Sequence, residues 1–273
     1  MKTSLRFVHL LEKIFPHRSK LAKLSKSPVV SKLFYKMIFN KNNLTVIPKD
    51  NVVEIKLNKK IDPPDSVVVP SDIVHKFIDE ANHHFLMNFC ICKEAMQCKN
   101  HPIEYGCLFM GDAVLEINKD FGRLVSKEEA HEHIRKCRED GLVHLIGSDK
   151  LDEQWLGVSD GLKLLTVCNC CECCCLWRML PDLDSKLSST VKKMPGVSIE
   201  VTSDCVGCGK CTEDICFVDA IKVENGKAVI SDECRICGRC AEVCPNNAIK
   251  IKVTDDKFID KTASRIKKTV KIK

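Results

Sequence analysis

Residues 234–245 read CRICGRCAEVCP, in which Cys234, Cys237, Cys240, Cys244 and Pro245 follow the spacing C-x2-C-x2-C-x3-C-P. Residues 205–216, CVGCGKCTEDIC, set Cys205, Cys208, Cys211 and Cys216 at nearly the same intervals, with one more residue in the last gap and Phe217 in place of the proline. Two further thiol-rich segments precede them. Cys90, Cys92, Cys98 and Cys107 form C-x-C-x5-C-x8-C, and the run CNCCECCC at 168–175 adds Cys168, Cys170, Cys171, Cys173, Cys174 and Cys175. Thiolates are soft ligands that select zinc, iron and iron–sulfur clusters. The first fifteen residues break their apolar run at Glu12-Lys13 and offer no small-residue cleavage site, so no export signal is expected. No stretch approaches the roughly 18 uninterrupted apolar residues of a membrane-spanning helix. In a reducing compartment clustered cysteines are metal ligands more often than disulfides. The expectation is a cytoplasmic protein whose 19 cysteines are mostly metal-bound.

Across residues 197–253 the sequence resembles the two-cluster bacterial-type ferredoxins. In that arrangement three cysteines on a tight loop meet three irons of one cubane, and the fourth, beyond a short helix, reaches the other cluster. The resemblance implies one [4Fe-4S] cluster on Cys205, Cys208, Cys211 and Cys244, and a second on Cys234, Cys237, Cys240 and Cys216. Paired zinc knuckles would repeat C-x2-C hooks, without a third cysteine at the same interval and a closing C-P. An internal repeat agrees: Ala220-Ile221-Lys222-Val223 recurs as Ala248-Ile249-Lys250-Ile251, after loops whose first cysteines lie 29 positions apart. Between the halves, IKVENGKAVI alternates around Asn225-Gly226, a hairpin signal. Gly207, Gly209 and Gly238 let the backbone turn closely and aim N–H groups at sulfur.

These loops need a body to work with. Ile73, Val74, Phe77, Ile78, Ala81 and Phe85 mark one face of a helix over 71–85, with Ser71 as its cap. A second helix over 126–140 opens with the capping box Ser126/Glu129 and stops at Gly141. On it Cys137 is expected as a packed thiol, and His131 and His133 as solvated. LVHLIG and LKLLTV read as buried strands, the second leading directly into Cys168. Neighbouring cysteines of CNCCECCC cannot all converge on one metal, because successive side chains diverge; two or three at most face one site. Two assemblies remain open. Cys90, Cys92, Cys98 and Cys107 hold a third cubane while the run serves a fourth or unusual cluster, or both segments mix around a single site. Ten thiols exceed one cubane's four, implying more than one metal centre or a spare reactive thiol.

The charge of +6 is uneven: residues 1–60 carry a balance of +11, residues 250–273 carry +6, and the middle carries −11. An acidic body with basic ends is no uniformly basic nucleic-acid binder, and aromatic content of 5% leaves little for base stacking. Leu5, Val8, Leu11 and Phe15, then Val30, Leu33, Phe34, Met37 and Ile38 after Ser27-Pro28, mark two basic amphipathic helices. They suit packing on the body, a partner subunit, or an anionic membrane surface at the inner face. RIKKTVKIK at the C-terminus is expected as a solvated, mobile end.

The expected class is α+β, with a ferredoxin-like dicluster domain of pseudo-twofold βαβ repeat after a larger cysteine-rich α/β domain. The expected segments are 1–60, basic and helical; 61–195, cysteine-rich; 196–253, dicluster; and 254–273, a basic tail. No G-x-G-x-x-G follows a strand, so no nucleotide cofactor is expected, and neither a P-loop nor C-x3-C-x2-C occurs. The wider chain, about 45–253, is similar to a group of uncharacterised iron–sulfur proteins of anaerobic archaea and bacteria, through CICK, GRLVSKEEA, GLVHLIG and CNCCECCC. The reading is an electron-transfer protein moving single electrons between two ferredoxin-type clusters, a further N-terminal metal or cluster site and a redox partner. A reductase with a substrate-binding N-terminal cluster and a metal storage or assembly scaffold are its rivals.

Overall fold

The computed structural model describes residues 3–55 and 68–272, so the expected segment boundary at residue 60 lies outside the described residues. Its strands are β1 (Asn43–Val46), β2 (Val53–Glu54), β3 (His84–Met87), β4 (Leu108–Met110), β5 (Gly122–Val125), β6 (Val143–Ser148), β7 (Leu165–Cys170), β8 (Val191–Lys193), β9 (Val197–Val201), β10 (Ile221–Glu224), β11 (Lys227–Ile230) and β12 (Ile249–Val253). Its α-helices are α1 (Leu5–Ile14), α2 (Arg18–Leu24), α3 (Pro28–Phe34), α4 (Asp72–Glu80), α5 (Ile91–Ala95), α6 (Lys127–Glu139), α7 (Lys150–Leu156), α8 (Ser185–Ser188), α9 (Arg239–Glu242) and α10 (Phe258–Ile266).

LVHLIG and LKLLTV become β6 and β7, adjacent in the centre of a seven-stranded sheet ordered β5-β3-β4-β7-β6-β1-β8. They read as unbroken apolar runs because both faces of the sheet are covered. Leu108, Met110, Leu165, Val167 and Ile146 meet α4 and α6 on one side. Phe109, Phe85 and Met87 meet Trp155 and Val8 on the other. The body is a mixed helix-and-sheet assembly, but its sheet is antiparallel apart from β1 beside β8. Among the described residues this sheet therefore lacks the parallel crossovers that define an α/β domain. β1 comes from the basic N-terminal segment and sits inside this sheet, between β6 and β8.

Three local expectations change. The helix over 71–85 is shorter: α4 stops at Glu80, Ala81 is extended, and Phe85 belongs to β3. Ser71 makes no side-chain cap; its hydroxyl donates to Asp50 Oδ2 at 2.7 Å. The α6 capping box forms as expected, with Gly141 at φ +81°, but His133 is buried, with Nε2 3.0 Å from the Gly106 carbonyl. The reason is that α6 is covered on two flanks, by α4 and by the loop ending at Gly106. The third change is the C-terminus. RIKKTVKIK is no solvated tail: Phe258, Thr262 and Ile266 recur every four residues on α10, and Val270 and Ile272 bury beyond it. Each large apolar side chain so buried contributes roughly 1.5–3 kcal/mol. Lysines outnumber these residues in the sequence and mask the stripe.

The C-terminal quarter runs strand, turn of helix, hairpin, turn of helix, strand. β12 pairs antiparallel with β9 and parallel with β2, and β10–β11 form the hairpin, with Asn225 and Gly226 both at positive φ. This unit is tied to the body by cations. Arg235 Nη2 donates to Ser188 Oγ at 3.2 Å, and Arg239 Nη2 to the Cys170 carbonyl at 2.6 Å. The Lys49 backbone N–H donates to the Cys237 carbonyl at 3.1 Å.

Candidate metal centres

The run CNCCECCC splits. On β7, Cys168 and Cys170 are two apart and share a face, while Asn169 between them points the other way and meets His144 Nδ1 at 2.8 Å. The chain then turns through 171–174, and Cys175 returns to the side of Cys168 and Cys170. These three join Cys90, Cys92 and Cys107 around a cavity of about 300 Å³. Cys107 and Cys168 sulfurs lie 3.9 Å apart. The other three of the run, Cys171, Cys173 and Cys174, lie in the turn and meet Cys98, all four sulfurs lying within 4.8 Å of one another, and Cys171 also borders the cavity. The first open assembly kept Cys98 with Cys90, Cys92 and Cys107, and the second mixed both segments around a single site. The structure separates Cys98 from those three, because the short helix α5 ends between Cys92 and Cys98 and points the chain away.

The six-thiol chamber has a charged and an apolar wall. Lys93 is 1% exposed, and its Nζ donates to the Pro102 and Tyr105 carbonyls at 3.1 Å each. Thiol hydrogen bonds from Cys168 and Cys175, then the Arg239 and Lys93 charges, overcome burial and hold Cys170 well below the usual thiol range. Cys168 and Cys175, donating, are pushed up. Phe7, Leu11 and Phe15 from the N-terminal helices, with Trp155 and Trp177, complete the wall. α1 thus packs on the body through Val8, while Phe7, Leu10, Leu24, Leu33 and Met37 remain exposed among the lysines. Among the described residues no helix is long and apolar enough to cross a membrane.

The four-thiol group is held by a different set. His101 bridges Asp140 at 2.7 Å and Glu172 at 3.0 Å, tying the loop after Cys98 to the turn of the run. The Cys174 backbone N–H donates to Cys171 Sγ at 3.2 Å. Burial pushes Cys171 up to about 12. At Cys98 burial opposes ionisation, but hydrogen bonds from the Asn100 and His101 amides and from the Cys174 and Cys173 thiols together outweigh it and lower the thiol. Cys137, on α6, is a fully buried thiol beside this group, pushed up by burial.

In the C-terminal quarter the cysteines gather into two fours. Cys205, Cys208, Cys211 and Cys244 line one small cavity, and Cys216, Cys234, Cys237 and Cys240 another. Backbone N–H groups point at sulfur at corresponding positions: Ala220 to Cys216 and Ala248 to Cys244, both 3.3 Å. The extra residue before Cys216 is absorbed by Asp214 at φ +56°, where the second half continues into α9. Gly207 at φ +66° lies against the hairpin turn; a Cβ there would stand 2.4 Å from the Gly226 carbonyl. The halves differ in exposure. Cys208 and Val206 face solvent, whereas Cys237 and Cys240 are buried and burial raises their thiols. Thiols in fours, with amides aimed at them, suit an iron–sulfur cluster held by thiolates. Motif spacing had named all eighteen cysteines; it had not named Arg239 or His101, and Lys93 stood only as the last letter of CICK.

These loops are those of an iron–sulfur protein, and the family pattern described as "4Fe-4S binding domain" matches residues 227–250. The chain belongs to the ferredoxins through this segment. An uncharacterised ferredoxin of Methanocaldococcus jannaschii is 38% identical over 77 residues, 99% of that protein and 25% of this chain. A second from the same organism is 34% identical over 47 residues, 74% of its length and 16% of this chain. DNA-directed RNA polymerase subunit Rpo3 of Methanosarcina acetivorans is 38% identical over 72 residues, 25% of this chain, which spans 26% of that subunit's length. No solved structure matches the chain. The ferredoxin relationship supports iron–sulfur electron transfer.

Proposed function

We propose that the chain relays single electrons between a partner redox enzyme, two ferredoxin-type [4Fe-4S] clusters and a further iron–sulfur site in the six-thiol chamber. The single observation that carries this reading is the contact between the two regions. Cys237 shares one buried apolar cluster with Cys170, Cys175 and Trp177, and Arg239 donates to the Cys170 carbonyl.

When bound, a [4Fe-4S] cluster stores and releases one electron. In this reading Cys205, Cys208, Cys211 and Cys244 hold the outer cluster, beside the exposed Val206, where a partner docks. Cys216, Cys234, Cys237 and Cys240 hold the inner one. The Arg239 and Lys93 cations offset thiolate charge at the buried end, and the apolar residues around Cys237 exclude water. The exposed apolar residues of α1–α3 are a second docking surface, for a partner subunit or an anionic membrane face.

Iron and acid-labile sulfide per chain, measured on anaerobically purified protein, test the proposal. Well above eight irons, with a signal surviving disruption of the C-terminal ligands, is expected; about eight would leave the chamber outside the relay. The apolar wall of the chamber favours a second reading, a reductase whose substrate meets the chamber site. Added cyanide or carbon monoxide that perturbs only the chamber signal would mark an open iron position and favour it over the carrier.

A further inference from the structure

Cys98, Cys171, Cys173 and Cys174 stand apart from the other thiol groups by their spacing. Around one tetrahedral ion with metal–sulfur bonds of about 2.3 Å, the sulfurs sit roughly 3.8 Å from each other. Cys98 and Cys173 lie 3.6 Å apart, Cys173 and Cys174 3.5 Å, and all four fall within 4.8 Å. A cubane interposes an iron between each thiolate and the cluster centre, so its thiolates stand much farther apart. The molecule supplies its own control: among the described residues, the fours of the ferredoxin segment and the six of the chamber are not drawn together this tightly.

We infer that these four cysteines bind a single zinc ion in a closed tetrahedral site. Four thiolates with no open position are the donor set of a structural zinc centre. The site borders the chamber through Cys171 but packs apart from the electron route. It packs with Cys137, Leu142 and Tyr105, in a cluster distinct from the one that joins Cys170 and Cys175 to Cys237. The ion staples the 98–101 loop to the turn at 171–174, alongside the His101 bridge to Glu172. That staple turns the chain back after Cys170, so that Cys175 re-enters the chamber. The zinc site positions Cys175 in the chamber while carrying no electrons.

The experiment is metal analysis and zinc K-edge absorption on the anaerobically purified full chain, compared with Cys98→Ser. One zinc per chain with four sulfurs at about 2.3 Å is the expected result. In Cys98→Ser the zinc falls toward zero while iron and sulfide stay at the wild-type level. Should Cys98→Ser not fold, the wild-type zinc shell decides alone, and Cys173→Ser gives the second comparison. A wild-type protein lacking zinc overturns the inference, as does a zinc shell with nitrogen or oxygen in place of sulfur. Loss of one iron with Cys98→Ser would make the site a mononuclear iron centre, and loss of several irons would make it part of a cluster; either overturns it.

Discussion

In the C-terminal quarter, cysteines close in sequence stay together: three of each four come from one short loop, and the fourth arrives from the other half. In the body, sequence neighbours part. Cys174 and Cys175 are adjacent in the chain yet belong to the four-thiol group and the six-thiol chamber respectively. The difference is one of backbone. A glycine-bearing loop curls around a centre, so spacing alone brings thiols to a common point. In the body, β7 brings Cys168 and Cys170 to one face, and the turn that follows carries Cys171, Cys173 and Cys174 to Cys98 before Cys175 returns. Dense cysteine therefore signals separate destinations when a strand ends and the chain turns within it.

The largest effect that sharpens this contrast is expected for Cys237→Ala. It removes a thiolate from the inner four, and roughly four irons per chain and one [4Fe-4S] signal should vanish from iron analysis and electron paramagnetic resonance. Full iron with an unchanged spectrum would sink the ligand assignment. Cys170→Ala is its counterpart in the body. Iron above the ferredoxin complement should be lost while the two C-terminal signals persist; loss of the C-terminal signals instead would break the distinction between the regions.

Arg239→Met probes the link. Arg239 is buried between the Phe217 ring, at 5.9 Å, and the Cys170 carbonyl. Losing a hydrogen bond from a charged group costs about 2 kcal/mol, read as a lower denaturation midpoint. Removing the positive charge should also lower the potential of the inner cluster, measured by redox titration, and leave the outer one in place.

The smallest effect concerns pH. Burial pushes His144 down to about 3 from 6.5, so the imidazole is neutral in the fold, its Nδ1 against Asn169. Its contribution to stability is present above pH 6.5 and is lost as pH falls toward 3. Between pH 6.5 and 5 this amounts to about 2 kcal/mol. His144→Gln should flatten the fall of the thermal midpoint over that window, and a slope equal to wild type would remove His144 as its cause.

Some of the structure was legible in advance because its causes are local. The Ser126/Glu129 capping box, the Asn225-Gly226 hairpin and the buried strands at 143–148 and 165–170 each depend on a few consecutive residues. Helix α4 falls short of the expected range because Phe85 fits a four-residue period yet belongs to β3, where it faces the opposite side of the sheet from α4. The C-terminal stripe of Phe258, Thr262 and Ile266 is hidden by the lysines interspersed before, within and after the helix. His133 read as solvated because its cover, the loop at Gly106, is 27 residues away in the chain.

By itself the amino-acid sequence determined the number of thiols, the ferredoxin loops and the family relationship, since these rest on spacings of two to four residues. The tertiary structure alone decided the rest. It sends Cys98 to the turn of the run and Cys90, Cys92 and Cys107 to its strand, and it places Lys93 and Arg239 among the chamber thiols. Those partnerships join residues roughly 60 to 85 positions apart, and pairings at such range are set by how sheet and helices pack around one core, which no short spacing encodes.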